Sequence, residues 1–174
     1  MMQQFIHFKR MLSKALEWLL IIAVLLLVCD VVWGVFTRYV MGEQAMWSEE
    51  LARFLLVWVS LIGGALAFGT KSHLGVDYFV EKFEPSVRKK MAVFSHLVVL
   101  FFAGSIFIYG GGRVVYDALI LEQMTPALGW KMGYVYMALP IAGCFMALFT
   151  FENMIETLAG AEIEAEDSVG KESN

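Results

Sequence analysis

The sequence predicts an all-α integral membrane protein with four transmembrane helices. Hydrophobic residues make up 59% of the 174 residues and charged residues only 17%, a balance too apolar for an ordinary water-soluble domain. The hydrophobic residues fall in four blocks, and each block is close to the roughly 20 residues that a helix needs to cross a bilayer. The composition and the block lengths therefore agree on a fold with four spans.

The four blocks predict spans at about residues 16–36, 51–68, 91–109 and 133–151. The first contains the run LLIIAVLLLV, which is apolar on every side, as expected for a helix surrounded by lipid. It is too long for a signal peptide and no small-residue cleavage site follows it, so we expect it to be retained. The third span could continue past the glycines at 110–112 toward Glu122 with a kink there, and Pro140 predicts a bend in the fourth.

Two segments outside the spans have patterns of their own. Between spans two and three, apolar residues at i, i+3, i+4 and i+7 (Val76, Phe79, Val80 and Phe83) predict a short amphipathic helix at the membrane interface. Residues 1–152 are then expected to form the four-helix membrane domain. Residues 153–174 form an acidic tail that we expect to be cytoplasmic and disordered.

The distribution of Lys and Arg predicts the orientation in the membrane. Eight of these residues precede the first span or lie between spans two and three, whereas only Arg38, Arg113 and Lys131 lie in the two opposite connections, outside the predicted spans. Lys and Arg are enriched in the loops that face the cytoplasm. We therefore expect both termini in the cytoplasm and two connections on the outer side, where Trp47 and Trp130 suit an aromatic belt.

The same composition argues against several kinds of function. The net charge of −4 comes from the acidic C-terminal segment and no basic stripe is interleaved with aromatic residues, so nucleic acid is not an expected partner. Cys29 and Cys144 lie in different blocks, which excludes a CxxC motif and favours two small core residues. His96 has no second intramembrane histidine with which to hold a haem or metal, so we predict a packed or interfacial histidine. The pair His73 and Asp77 favours a local hydrogen bond over a metal site. We expect no catalytic residue, metal or cofactor.

Asp30 is an acidic residue within the first hydrophobic block. A charged side chain at the centre of a bilayer costs about 2.5–3.5 kcal/mol on insertion scales, so this acid needs an explanation. Asp30 is roughly 9 Å from the end of the first span and Arg53 is roughly 7.5 Å into the second, from the helical rise per residue. We therefore predict an intramembrane ion pair between Asp30 and Arg53, with an ion or proton site at Asp30 as the alternative.

Several motifs lie between residues 38 and 77. They are Arg38-Tyr39, Trp47-Ser48-Glu49-Glu50, Trp58, Gly63-Gly64-Ala65 and the run from His73 to Asp77. Ser48 predicts the N-cap of the second span, since the two glutamates after it suit the positive end of a helix dipole. Gly63, Gly64 and Ala67 form a small-residue patch that lets another helix approach, either within this chain or from another subunit. A further stretch, TPALGWKMGYVYMALPIAG, covers residues 125–143 and includes Pro140.

In these motifs the chain resembles the small membrane subunit of tripartite ATP-independent periplasmic (TRAP) transporters, apart from its two ends. The resemblance implies a multi-pass protein of the bacterial inner membrane, accompanied by a large multi-helix membrane subunit and a periplasmic substrate-binding protein. The large subunit would take up an organic acid, such as a dicarboxylate or a sialic acid, with a sodium gradient. The chain itself would be a non-catalytic scaffold whose motif residues contact partners, and it could help to dock the binding protein.

Two other functions remain open on the sequence alone. Asp30 suits a small homodimeric proton-coupled exporter, although such proteins are shorter and place the acid nearer the middle of the membrane, without an arginine at a matching depth. A membrane anchor of a respiratory enzyme would need axial haem ligands or a quinone pocket, for which one intramembrane histidine is weak support.

Overall fold

The computed structural model of the chain describes residues 2–43, 45–69 and 85–159. Its helices are α1 (Met2–Phe36), α2 (Met46–Gly69), α3 (Pro85–Phe102), α4 (Gly111–Ile120), α5 (Met132–Tyr136) and α6 (Ala138–Ala159). There are also two π-helical segments: Thr37–Met41 continues α1, and Ala103–Gly110 joins α3 to α4. These residues contain no β-strand, so the described chain is all-α, as predicted.

Four helical stretches of the described chain are long and apolar enough to cross a membrane: Met11–Met41, Met46–Gly69, Lys89–Ile120 and Met132–Leu158. The predicted number of spans is confirmed, and so is the continuation of the third past its glycines. All four are longer than predicted, because hydropathy marks only the part in hydrocarbon while the helical hydrogen bonds continue into the interface. The start of α1 and the end of α6 lie at one end of the bundle, here called the terminal end. The connections 42–45 and 121–131 lie at the other, the hairpin end.

The spans pack in the order first, second, fourth, third. α1 lies against α2, α2 against α6, and α6 against α3 and the π-helical segment that follows it. Where the last three meet, the fully buried residues are Ala65, Ala103 and Ala142, with Met146 beside them. Small side chains let helix backbones approach closely, and van der Waals packing is a main source of helix association in lipid. The second, third and fourth spans are therefore held by close backbone approach.

Glycines extend this close approach along the third and fourth spans. A Cβ atom on Gly111 would lie 2.8 Å from the Cβ of Leu139. One on Gly143 would lie 2.5 Å from the Cβ of Phe107 and 3.3 Å from the backbone nitrogen of Ile108. These neighbours are backbone atoms or the base of a side chain, which cannot swing aside. At the glycine run, where a kink was predicted, the π-helical segment Ala103–Gly110 ends and α4 begins.

The fourth span is interrupted at Met137, between α5 and α6, and not at Pro140 where the bend was predicted. A proline ring clashes with the carbonyl four residues earlier and the proline cannot donate a hydrogen bond to it, so its effect falls on the preceding turn. Pro140 itself lies in the first turn of α6, where a missing N–H is tolerated. It packs beside Gly111, whose added Cβ would lie 3.2 Å from the proline Cδ.

α6 extends to Ala159, so residues 153–159, which the sequence pattern assigned to the tail, belong to the bundle. Asn153 is buried, and its Nδ2 donates a hydrogen bond to the carbonyl oxygen of Phe68 at 2.9 Å. That carbonyl is near the C-terminal end of α2, where the backbone lacks helical donors. The side chain of Asn153 thus joins the last turns of α6 to the last turn of α2. Residues 160–174 lie outside the described part, as does the predicted interfacial helix.

A second polar contact joins α3 to α6 at the terminal end. His96 Nε2 lies 3.3 Å from the Oγ1 of Thr157, and Lys89 Nζ donates to the carbonyl oxygen of Leu158 at 2.8 Å. His96 is half-buried and hydrogen-bonded, which agrees with its prediction as a packed histidine. The ammonium of Lys89 also suits the negative end of the α6 dipole.

The Gly143 contact predicts a large effect of a single methyl group. Gly143→Ala should lower the thermal unfolding temperature of the detergent-solubilised protein, because overpacking costs about 1–3 kcal/mol. Gly112→Ala is the matched control, since nothing lies within 4 Å of an added Cβ there and alanine favours the helix. Equal unfolding temperatures for the two variants would contradict the close approach of the third and fourth spans.

Candidate functional site

The hairpin end carries a closed loop between the third and fourth spans. The N–H of Thr125 donates to the carbonyl of Trp130 at 2.8 Å, and the N–H of Trp130 donates back to the Oγ1 of Thr125 at 3.0 Å. The N–H of Gly129, at a φ of 65°, donates to the carbonyl of Thr125 at 3.1 Å. A glycine adopts this left-handed conformation without strain. We call residues 125–130 the outer loop.

Glu50 fixes the outer loop to α2. Its two carboxylate oxygens accept hydrogen bonds from the backbone N–H groups of Ala127, at 3.1 Å, and of Leu128, at 2.9 Å. Glu50 lies in the first turns of α2 and is only 9% exposed. Hydrogen bonds between N–H groups and a carboxylate are charge-assisted, and roughly twice as strong as neutral ones. The Glu50 carboxylate therefore holds the outer loop, which connects spans three and four, against the beginning of span two.

Ser48 ties the beginning of α2 to α1. Its hydroxyl is buried and donates to the backbone carbonyl of Asp30 at 3.2 Å. The predicted N-cap role of Ser48 is wrong: α2 begins at Met46, and the carbonyl of Ala45 accepts from the N–H of Ser48 at 3.1 Å. The helix thus starts earlier, and the serine serves a contact between helices.

Asp30 and Arg53 do not form the predicted ion pair. Arg53 Nη2 instead bonds Glu49 Oε1 at 3.1 Å, and the two side chains are 66% and 61% exposed. Asp30 is 7% exposed, and neither carboxyl oxygen has a hydrogen-bond partner in the described residues. The depth estimate predicted the position of Arg53 along the helix axis, but not the face of α2 on which its side chain lies. Arg53 lies five residues after Ser48, which is roughly 140° around α2 from the residue that touches α1.

The other motif residues divide between the hairpin end and the bundle. Arg38 and Trp47 are exposed at the hairpin end, together with Glu49. Trp58 packs against the cluster of Leu16, Ile62 and Phe149. An added Cβ on Gly63 would lie an ordinary 3.7 Å from Leu20 of α1, and one on Gly64 would meet nothing within 4 Å. His73 and Asp77 lie outside the described residues.

The prediction of two core cysteines is wrong, since Cys29 and Cys144 are both exposed on the surface of the bundle. Each lies on a helix face that turns away from its neighbours, a direction that an apolar block without periodicity does not reveal. Within the described ranges, no group of three His, Cys, Asp or Glu side chains has the arrangement to hold a metal ion. The site is thus a structural loop anchored by a carboxylate.

Residues that the sequence did not single out complete the hairpin and terminal ends. Thr125 is buried and closes the outer loop with both its backbone and its hydroxyl. A Thr-Pro pair followed by glycine is a turn signal that could have marked it. Asn153 and Thr157 are four residues apart, a spacing that places both on one helix face, and the Thr157 hydroxyl donates to the backbone carbonyl of Asn153 at 2.8 Å.

Comparison with known proteins bears on this architecture. The family described as "Tripartite ATP-independent periplasmic transporters, DctQ component" matches residues 27–160. The sialic acid TRAP transporter small permease protein SiaQ of Vibrio cholerae is 29% identical over 136 residues, which cover 76% of this chain and 77% of that protein. The sialic acid TRAP transporter permease protein SiaT of Haemophilus influenzae is 29% identical over 144 residues, 80% of this chain but 22% of that protein.

A third relative, the C4-dicarboxylate TRAP transporter small permease protein DctQ of Rhodobacter capsulatus, is 27% identical over 107 residues, or 60% of this chain and 46% of that protein. The family match begins within α1 and ends just past α6, and so includes both Glu50 and the outer loop. The chain belongs to the DctQ component family of TRAP transporters, the small permease subunits.

Proposed function

We propose that the chain is the non-catalytic scaffold of a sodium-driven organic-acid importer, and that its hairpin end faces the periplasm and helps to dock the binding protein. The observation that carries the docking role is the clamp of Glu50 on the outer loop. A loop whose backbone is already fixed loses less conformational entropy when a partner binds. Trp130 in this loop and Met124 beside it are 52% and 60% exposed, so the ordered loop offers apolar surface.

The scaffold role is supported by the share that this segment has in a larger relative. The match to SiaT of Haemophilus influenzae covers most of this chain but 22% of that permease protein. Most of that permease thus lies outside the matching segment, where a transport pathway can lie. We propose the same division here, with the large membrane subunit as a separate partner.

The organic-acid class is supported by the names of the three relatives described above, two of which refer to sialic acid and one to a C4-dicarboxylate. Both compounds carry carboxylates. We propose that the binding protein and the large subunit select between such acids. At the hairpin end, the backbone N–H groups of Ala127 and Leu128 already donate to Glu50 and are therefore not available to bind a carboxylate substrate.

The exporter hypothesis gains no support from the family match. Its motivating residue, Asp30, is buried, and its two carboxyl oxygens have no hydrogen-bond partner in the described residues. We propose that this acid serves the packing of α1, and the transport experiment below separates the two functions.

The orientation can be tested by cysteine labelling. In a background with Cys29→Ala and Cys144→Ala, Phe5→Cys and Gly170→Cys should resist a membrane-impermeant thiol reagent in intact cells, because both ends are proposed to be cytoplasmic. Ala127→Cys in the exposed outer loop is the control that should label. Labelling of position 5 or 170 by the reagent in intact cells would show that the proposed orientation is wrong.

The accessory role predicts the outcome of reconstitution. Proteoliposomes that contain this subunit alone should show no sodium-driven uptake of sialic acid or dicarboxylates, whereas adding the large subunit and the loaded binding protein should produce uptake. Radiolabelled substrate provides the measurement. Uptake by the subunit alone would refute the scaffold role, and pH-driven exchange of a cationic drug would favour the exporter.

Removing one acceptor from the clamp should loosen the outer loop. Glu50→Gln places an amide donor against two N–H donors, which should lower the opening free energy of the Ala127 and Leu128 amides by about 1–3 kcal/mol. Hydrogen exchange of these amides measures it. Glu49→Gln is the matched control, because Glu49 contacts Arg53 and not the loop. Unchanged exchange in Glu50→Gln would show that the carboxylate does not order the loop.

A further inference from the structure

One face of α2 turns away from every helix of the described chain. Its exposed or open positions follow each other at i, i+4, i+7, i+11 and i+15, which is the spacing of one helix face. They are Glu49, Arg53, Leu56, Ser60 and Gly64. The five residues extend about 22 Å along the helix axis, from the hairpin end to beyond the middle of the span. We call this face the α2 outer stripe.

The α2 outer stripe differs in composition from the other outward faces of the bundle. The exposed face of α1 carries Leu25, Val32 and Phe36, each more than half exposed, and that of α3 carries Phe94 and Phe101. Such large apolar side chains suit contact with lipid tails. The α2 outer stripe has one large apolar residue among its five positions. It is therefore poorly matched to lipid.

The polar groups of the α2 outer stripe lack the partners that a bilayer requires. Ser60 is exposed near the middle of the span, and its hydroxyl makes no hydrogen bond to the residues that the structure describes. Arg53 and Glu49 bond each other at 3.1 Å but are about two-thirds exposed, which leaves most guanidinium donors unused. Charged residues within membrane spans almost always face protein or water, and hydroxyls there bond across to neighbouring helices.

Gly64 adds a steric observation to these polar ones. A Cβ atom there would meet nothing within 4 Å, so the packing of the described chain does not require a glycine. In membranes, a glycine on an outer face lets the backbone of a second helix approach closely. Gly64 and the hydroxyl of Ser60 lie one turn apart on the same face.

We infer that the α2 outer stripe is the surface on which one transmembrane helix of the large subunit packs. The large subunit is the expected occupant because, in the SiaT relative, the segment matching this chain is part of one continuous permease chain and so shares the membrane with the remainder. The partner helix carries a small residue opposite Gly64 and a hydrogen-bond acceptor opposite Ser60. This inference rests on the scaffold function proposed above.

Photo-crosslinking tests the contact in the assembled transporter. p-Benzoyl-phenylalanine at position 60 should give an ultraviolet-dependent adduct with the large subunit, whereas the same group at position 101, where Phe101 is 76% exposed, should give none. An adduct at twice the 19.6 kDa of this chain would assign the stripe to a second copy and overturn the inference. An adduct from position 101 and none from position 60 would overturn it as well.

A pair of glycine variants provides the second measurement. Gly64→Leu should reduce the large subunit that co-purifies in mild detergent at least about tenfold, since leucine blocks the close approach. Gly104→Leu is the matched control, because an added Cβ at Gly104 also meets nothing within 4 Å. It should co-purify like the wild type. Equal recovery with both variants would overturn the stripe as the interface.

The two hypotheses fail differently. If the wild-type chain recovers no large subunit, the proposed function itself is wrong. If the wild type recovers it and Gly64→Leu recovers as much, only the assignment of the α2 outer stripe is wrong. Should Gly64→Leu alone unfold, the adduct from position 60, which leaves Gly64 intact, decides the question.

Discussion

Inside a bilayer no water is available to bond a backbone N–H or carbonyl, and the helical form of the spans follows from that constraint. It requires the four spans to be helical, and it makes each interruption a problem of unpaired groups. Side chains solve part of it by reaching across to another helix: Ser48 bonds the Asp30 carbonyl, Asn153 the Phe68 carbonyl and Lys89 the Leu158 carbonyl. Two of the three contacts lie at helix ends, where carbonyls lack intrahelical donors.

The second constraint is that lipid tails are as apolar as leucine, so apolar surface alone does not hold helices together. The bundle relies on small residues instead. Ala65, Ala103 and Ala142 are fully buried where three spans meet, and Gly143 lets the third and fourth spans touch through backbone. The π-helical segment of the third span contains Phe107 and Ile108, the two residues next to Gly143, so the segment and the glycine take part in the same helix contact.

The sequence predicted well what depends on local composition. Hydropathy indicated four spans, and the apolar block lengths placed each near its observed position. It predicted poorly what depends on the direction of a side chain: Arg53 lies at the expected height but on the outer side, and both cysteines face outward. The bond from Glu50 to the outer loop joins residues 78 positions apart, and no local pattern encodes such a pairing. The motif resemblance nevertheless included both partners.

Glu50 and the α2 outer stripe belong to the same uninterrupted 24-residue helix. An α-helix of this length bends little, because its hydrogen bonds act in parallel along the axis. A displacement of the outer loop would therefore act on the start of α2 through the two hydrogen bonds of Glu50, and any tilt of α2 would have to shift the contacts of Ala65. The outer loop and the second span would therefore move together. Any tilt of α2 applied at the hairpin end would displace the opposite end of the helix in proportion to its length of 24 residues.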